Sequence, residues 1–277
     1  MSDSATRMTL GQHLEELRRC LVRALVGVGV GAVACLLLRK TIFQVLYWPL
    51  AVATGGRPPG LVTLSPPEAF ATVLKVCIIV GAILAGPYSL YQLWRFISSG
   101  LYESERRSVR RYFLPAVVLF ALGVAFFFII VAPLVMRFFL IFGQENLAVA
   151  PTWGVDWYSR HLMGGAPAEV ATQPAGTIPM VRPTWRLTEY VWFVSLLSLV
   201  FGLGFQTPLV VMFLGRSGIV RVARMRALRR YVFLIILIVS AILTPPDPLS
   251  MMALALPMYG LYEVGLLVAG RGRPRPT

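Results

Sequence analysis

Two glutamates stand among four arginines in the stretch Leu101 to Tyr112, LYESERRSVRRY, and a second acidic pair, Glu15 and Glu16, stands beside Arg18 and Arg19. A carboxylate can accept the planar guanidinium fork of an arginine through two parallel hydrogen bonds, a geometry that the point charge of a lysine cannot reproduce. On a helix, residues three and four apart are neighbours, so each acid can be tested for a basic partner on its own helix. Glu15 meets Arg18 and Arg19, and Glu103 meets Arg106 and Arg107. Glu16 meets only Arg19, since Cys20 occupies the next position, and Glu105 meets Ser108 and Val109. Glu16 and Glu105 are therefore the under-neutralised acids of a basic surface. A second reading stays open, because acids in a first helical turn also stabilise the positive end of the helix dipole, which accounts for Glu103 and Glu105 together.

Other chemistry is sparse. Cys20, Cys35 and Cys77 are odd in number and lie in or beside apolar runs, and His13 and His161 are far apart. No disulfide framework, metal site or cofactor site follows from such spacing. No phosphate-binding loop and no nucleophile-base pairing stands out, so the chain is not expected to be an enzyme. The deep polar candidate is Gln206, two residues before Pro208. Its amide either occupies the carbonyl that Pro208 leaves free one turn earlier, or offers a polar contact to a partner's transmembrane helix. Glu68 and Asp247 close two capping boxes, Ser65-Pro-Pro-Glu68 and Thr244-Pro-Pro-Asp247, and Thr9-Leu-Gly-Gln12 reads as a third. Structural roles are expected for Glu68 and Asp247.

The elements that position these residues are membrane spans. With 57% hydrophobic and 14% charged residues and a mean hydropathy of +0.73, the chain is too apolar for an ordinary soluble domain. Its net charge of +14 does not point to nucleic acid, because the basic residues fall in blocks beside apolar runs, where orientation and anionic lipid explain them. Arg18-Arg19 before the run ending at Cys35 has the look of an exported leader, but Cys35 lies inside the run and more spans follow, so no cleavage is expected.

The pattern predicts a single all-α membrane domain over residues 1–277, with six spans near 21–38, 69–94, 112–142, 190–215, 231–243 and 249–269. Residues 39–64 are expected to be an outer loop broken by Pro49, Pro58 and Pro59, and a long outer connection covers 144–187. Pro115 and Pro133 are expected bends in the third span, and Lys75 is placed one to two turns inside the second, close enough to snorkel to the outer interface. The fifth and sixth apolar runs are short; thirteen residues, Tyr231 to Leu243, cover only about 20 Å of a core about 30 Å thick. Of 26 lysines and arginines, 18 fall in the N-terminus, the two arginine-rich connectors and the C-terminal tail, and 7 in the outer loops. This asymmetry places both termini in the cytoplasm.

Six motifs spread in order over the chain carry a resemblance: His13-Leu-Glu-Glu-Leu-Arg18, Ser65-Pro-Pro-Glu68-Ala-Phe70, Gly86-Pro87 with Tyr91-Gln92-Leu-Trp94, Leu101-Tyr102 with Glu105-Arg-Arg107, Phe205-Gln-Thr-Pro208 and Leu243-Thr-Pro-Pro-Asp247. Together they resemble the TatC family, the receptor subunit of the twin-arginine protein translocase. The resemblance implies a cup-shaped bundle of six helices in the cell's inner membrane. It also implies binding of twin-arginine signal peptides of folded precursors at the cytoplasmic face, and export with TatA- and TatB-type single-span partners, driven by the proton motive force, within an oligomeric complex. The family's signal-reading acids fall on Glu16 and Glu105, with Arg18 and Glu103 beside them; Gln206 and Pro208 fall where a partner helix is expected, and Pro49, Glu68, Pro87 and Asp247 in loops of structural or functional weight. Three features depart from the family pattern: Cys20 replaces a basic residue, Gln206 is neutral where many members carry glutamate, and the loop 144–187 is longer than usual. A transporter of a small solute is the alternative; the scarcity of deep polar groups counts against it.

Overall fold

A computed structural model describes residues 10–56, 60–99, 103–147, 185–217, 219–244 and 247–271, with side chains described except at 10, 13, 97–99, 103–111, 143–147 and 271. The first apolar run forms helix α1, Leu10–Leu37. Leu21, Val22, Leu25, Val26, Val30 and Val33 are exposed along it, a surface suited to hydrocarbon rather than water. Helix α3, Pro66–Leu84, lies against α1 so closely that a methyl group added to Gly31 would sit 2.4 Å from the Gly81 carbonyl oxygen. Small residues at a crossing let two backbones touch, which gains van der Waals contact where lipid offers no hydrophobic drive.

The expected outer loop 39–64 is largely a helix, α2, Arg39–Ala53, with Pro49 inside it. Proline removes one backbone bond from a helix, but tertiary burial prevails here. Leu46, Pro49 and Leu50 are buried, and the Tyr190 hydroxyl donates to the Leu46 carbonyl at 2.8 Å. Pro58 and Pro59 lie outside the described residues. The expected second span is two helices, α3 and α4, Gly86–Ser99, which meet at Ala85. Pro87 falls in the first turn of α4, where its missing N–H leaves no intrahelical bond unmade.

The third span is helix α5, Glu103–Phe126, a π-turn over Phe127–Val131, and helix α6, Ala132–Leu147. Pro115 sits inside α5 without ending it. Instead of a simple bend at Pro133, the chain widens just before it: Ala132 N–H bonds to the Phe127 carbonyl five residues back, the register of a π-bulge. The long outer connection lies outside the described residues over 148–184. Leu61–Val62, just before α3, and Trp185–Arg186, just before the next helix, form two short parallel strands, β1 and β2.

Helix α7, Leu187–Gly204, is the centre of the bundle. Val191, Val194, Leu197 and Phe201 are fully buried against Phe127, Val135 and Met136. A break at Phe205-Gln206 leads into α8, Thr207–Arg216, with Pro208 in its first turn. Then come α9, Val222–Ala227, α10, Arg229–Leu243, and α11, Pro248–Arg271.

Among the described residues five helical segments are long and apolar enough to cross a membrane: Leu14–Leu37, Pro66–Leu84, Tyr112–Phe142, Leu187–Arg216 and Pro248–Gly270. The fifth expected span, α10, has 15 residues, roughly 22 Å at 1.5 Å per residue. The last apolar run is interrupted at Glu263 as the sequence indicates, yet α11 continues through it for 24 residues in all. Arg229 of α10 reaches Glu263 at 2.8 Å and the Tyr259 hydroxyl donates to it at 2.9 Å, so the charge is matched where it enters the helix pair.

Candidate functional site

Near the N-terminal end of α1, Glu15 pairs with Arg19 at 3.3 Å and with Arg18 at 3.7 Å, as helical spacing requires. Arg18 is thereby turned to solvent, 77% exposed at its side chain, and the structure places it on Glu15 rather than beside Glu16. Glu16 is not left unpaired. Arg95 of α4 reaches its Oε1 at 3.3 Å, and the Glu16 side chain is only 18% exposed. The buried Cys20 thiol lies 3.8 Å from the same oxygen. The spacing test failed at Glu16 because it sees only a residue's own helix, whereas the partner comes from a helix seventy-nine positions later.

Arg95 is the residue that sequence reasoning missed. Its signal was present: no acid lies three or four positions to either side of it, so a cation at the end of an apolar run has to find its partner on another helix. Its backbone is held by Trp94, which is buried, stacks on Tyr112 of α5 at 6.0 Å and meets the Phe213 ring of α8 edge-on at 5.7 Å. These aromatic contacts fix α4 against α5 and α8, and α4 also packs on α1. Glu103 and Glu105 lie in the first turn of α5, the helix that follows α4. Their side chains lie outside the described residues.

Gln206 sits in the break between α7 and α8 and is 8% exposed. Its Nε2 donates to the Ala116 carbonyl of α5 at 3.0 Å. The amide therefore serves another helix, not the carbonyl that Pro208 leaves free. Its Oε1 is buried with no hydrogen-bond partner among the described residues, an orphan acceptor inside the bundle.

The capping boxes form differently from their sequence pattern. Thr9 lies outside the described residues. Ser65 makes no side-chain cap, and the Glu68 carboxylate reaches past it to accept from Leu64 N–H at 2.8 Å, from Thr188 Oγ1 at 2.7 Å and from Arg186 Nε at 2.8 Å. Glu68 thus clamps the segments on either side of the β1–β2 pairing, instead of closing a box with Ser65. Asp247 is itself the cap of α11: Ser250 N–H donates to its Oδ2 at 2.6 Å. Thr244 instead closes α10, its hydroxyl donating to the Ser240 carbonyl at 2.8 Å. The last helix starts at Pro248, three residues beyond where the box predicts it.

Comparison with known proteins agrees with this architecture over nearly the whole chain. Residues 12–257 match the family described as Sec-independent protein translocase protein (TatC). The TatC of Desulforapulum autotrophicum is 32% identical over 269 residues, covering 97% of this chain and 87% of that protein. The TatC of Aquifex aeolicus is 29% identical over 261 residues, covering 94% of each. A crystal structure of the twin-arginine translocase receptor TatC superimposes with a TM-score of 0.73 at 27% identity, covering 94% of this chain and 98% of that one. A small-solute transporter is not favoured by any of these similarities. The chain belongs to the TatC family, as a multi-pass membrane protein and core subunit of the twin-arginine translocase.

Proposed function

We propose that this chain is the signal receptor of its translocase, and that Glu16 and Glu105, at the cytoplasmic ends of α1 and α5, accept the arginine pair of a twin-arginine signal peptide. The observation that carries the reading is the Glu16–Arg95 contact. A half-buried carboxylate at this face already takes a guanidinium from another helix, which is the chemistry an incoming arginine needs. Arg18 and Glu103 belong to the surrounding charge pattern, and they set the potential the peptide meets. Six spans with both termini in the cytoplasm put this face on the side from which precursors arrive. Folded precursors are exported across the inner membrane together with TatA- and TatB-type single-span partners in an oligomeric complex, using the proton motive force and with anionic lipid at the basic connectors. Gln206 and Pro208, at the break between α7 and α8, mark the place where a partner helix packs, and the buried Oε1 of Gln206 accepts a donor only if that packing opens the break. Binding of labelled Arg-Arg and Lys-Lys signal peptides to the purified chain tests the reading. A marked preference for Arg-Arg that disappears in Glu16→Gln and Glu105→Gln supports it, and equal binding of both peptides by the parent overturns it.

A further inference from the structure

At the outer end of the bundle, α3 and α7 part to leave a cleft of about 490 Å³, lined by Lys75, Ile78 and Ile79 of α3 and by Thr188, Glu189 and Trp192 of α7. We infer that this cleft is a binding site for one phospholipid with an ethanolamine headgroup, its phosphodiester on Lys75, its ammonium on Glu189 and an acyl chain on Ile78, Ile79 and Trp192. The inference does not depend on where the signal peptide binds.

Lys75 poses the problem that the lipid solves. It lies nine residues into α3, about 13 Å from the helix start, in an apolar run, and it forms no ion pair among the described residues. An ammonium held in hydrocarbon without an anion is costly, and lysine answers by reaching for the interface. Side chains on a helix lean toward its N-terminus. Both α3 and α7 begin at the outer face, so Lys75, Glu189 and Trp192 all lean outward.

The order of groups with depth is that of an amphiphile. Thr188 and Glu189 are in the first turn of α7, Lys75 and Trp192 come next, and Ile78 and Ile79 lie a turn deeper on α3. Glu189 is already loosely engaged, 3.3 Å from Arg186 with its side chain 73% exposed, which leaves carboxylate surface for an ammonium. A headgroup carrying both charges matches the pair Lys75 and Glu189; a purely anionic headgroup meets Glu189 unfavourably. The indole of Trp192, half-exposed, suits the headgroup boundary.

The walls are fixed before any ligand arrives. The Thr72 and Thr188 hydroxyls are 2.7 Å apart, Thr72 is bonded to the Glu68 carbonyl and Thr188 to the Glu68 carboxylate. A cleft held open in this way asks little ordering of the protein on binding.

The test is native mass spectrometry of the delipidated full chain in detergent, with phosphatidylethanolamine, phosphatidylcholine and phosphatidylglycerol of identical acyl chains added separately. One retained copy is expected, with ethanolamine lipid held best. Lys75→Gln should lower retention of all three by about tenfold or more, as loss of a charged hydrogen bond implies, and Lys75→Arg should restore it. Glu189→Gln should abolish the preference for ethanolamine over choline lipid. Ile78→Trp, which fills the cleft without touching either charge, should also lose the lipid, and it decides the matter if Lys75→Gln fails to fold. Retention unchanged in both Lys75→Gln and Ile78→Trp overturns the inference. So does Ile78→Cys cross-linking to a co-purified single-span protein while no lipid is retained.

Discussion

Arg95→Gln should tighten binding of a twin-arginine peptide, because Arg95 occupies the carboxylate that the peptide needs. The Glu16–Arg95 contact is a single 3.3 Å approach with the arginine side chain 42% exposed. Such partly solvated pairs contribute about 0.2–1 kcal/mol. Removing the competitor should therefore raise affinity about 1.4- to 5-fold. Glu16→Gln removes a charged hydrogen bond to the peptide, about 1.5–3 kcal/mol, but it also removes the pair that the peptide had to break. The net loss is about 0.5–2.8 kcal/mol, roughly twofold to a hundredfold. In an Arg95→Gln background nothing is given back, and Glu16→Gln should show the full loss of about 13- to 160-fold. Fluorescence anisotropy with a labelled Arg-Arg peptide, run on the four members of this double-mutant cycle in nanodiscs, measures each step. Weaker binding in Arg95→Gln, or an effect of Glu16→Gln that is the same in both backgrounds, would refute the competition.

Three further outcomes follow from the geometry. Gln206→Leu removes the bond to Ala116 and the orphan oxygen together; it should weaken cross-linking of partner helices while peptide binding stays at the parent level, and equal cross-linking would assign the residue to the α5–α8 contact alone. Asp247→Ala removes the cap of α11 and should lower stability by about 1 kcal/mol, whereas Asp247→Asn should stay within a few tenths; denaturant unfolding in detergent reads the difference. Lengthening α10 within Tyr231 to Leu243 by about one turn, roughly four residues, should impair export, because a short span thins the bilayer around it and thinning lowers the barrier to a folded cargo; unchanged export would remove mismatch from the account.

Element existence was legible where periodicity and length are strong, as in the apolar runs of α1, α5–α6 and α7–α8. What sequence reasoning missed depends on contacts far apart in the chain. Pro49 reads as a breaker, yet α2 persists because Leu46 and Leu50 bury against α6 and α7 and Tyr190 holds the Leu46 carbonyl. Gly86-Pro87 was visible as a motif, but an uninterrupted apolar run hides that the chain turns at Ala85. The acids were visible, and their partners were not: Glu68 meets Arg186 and Thr188 more than a hundred residues away, and Glu16 meets Arg95. Helical spacing identifies a charge that lacks a local partner. It cannot say whether the missing partner is another helix, a lipid or a ligand.

The central claim, that acids at the cytoplasmic face read an arginine pair, is tested most directly by co-purification of a folded precursor with the chain. The precursor should carry either Arg-Arg or Lys-Lys in its signal, against parent, Glu105→Gln and Glu103→Gln. The parent should retain the Arg-Arg precursor over the Lys-Lys form, and Glu105→Gln should lose that preference by about ten- to more than a hundredfold, while Glu103→Gln changes little. Full discrimination in Glu105→Gln, with its loss confined to Glu103→Gln, would contradict the account.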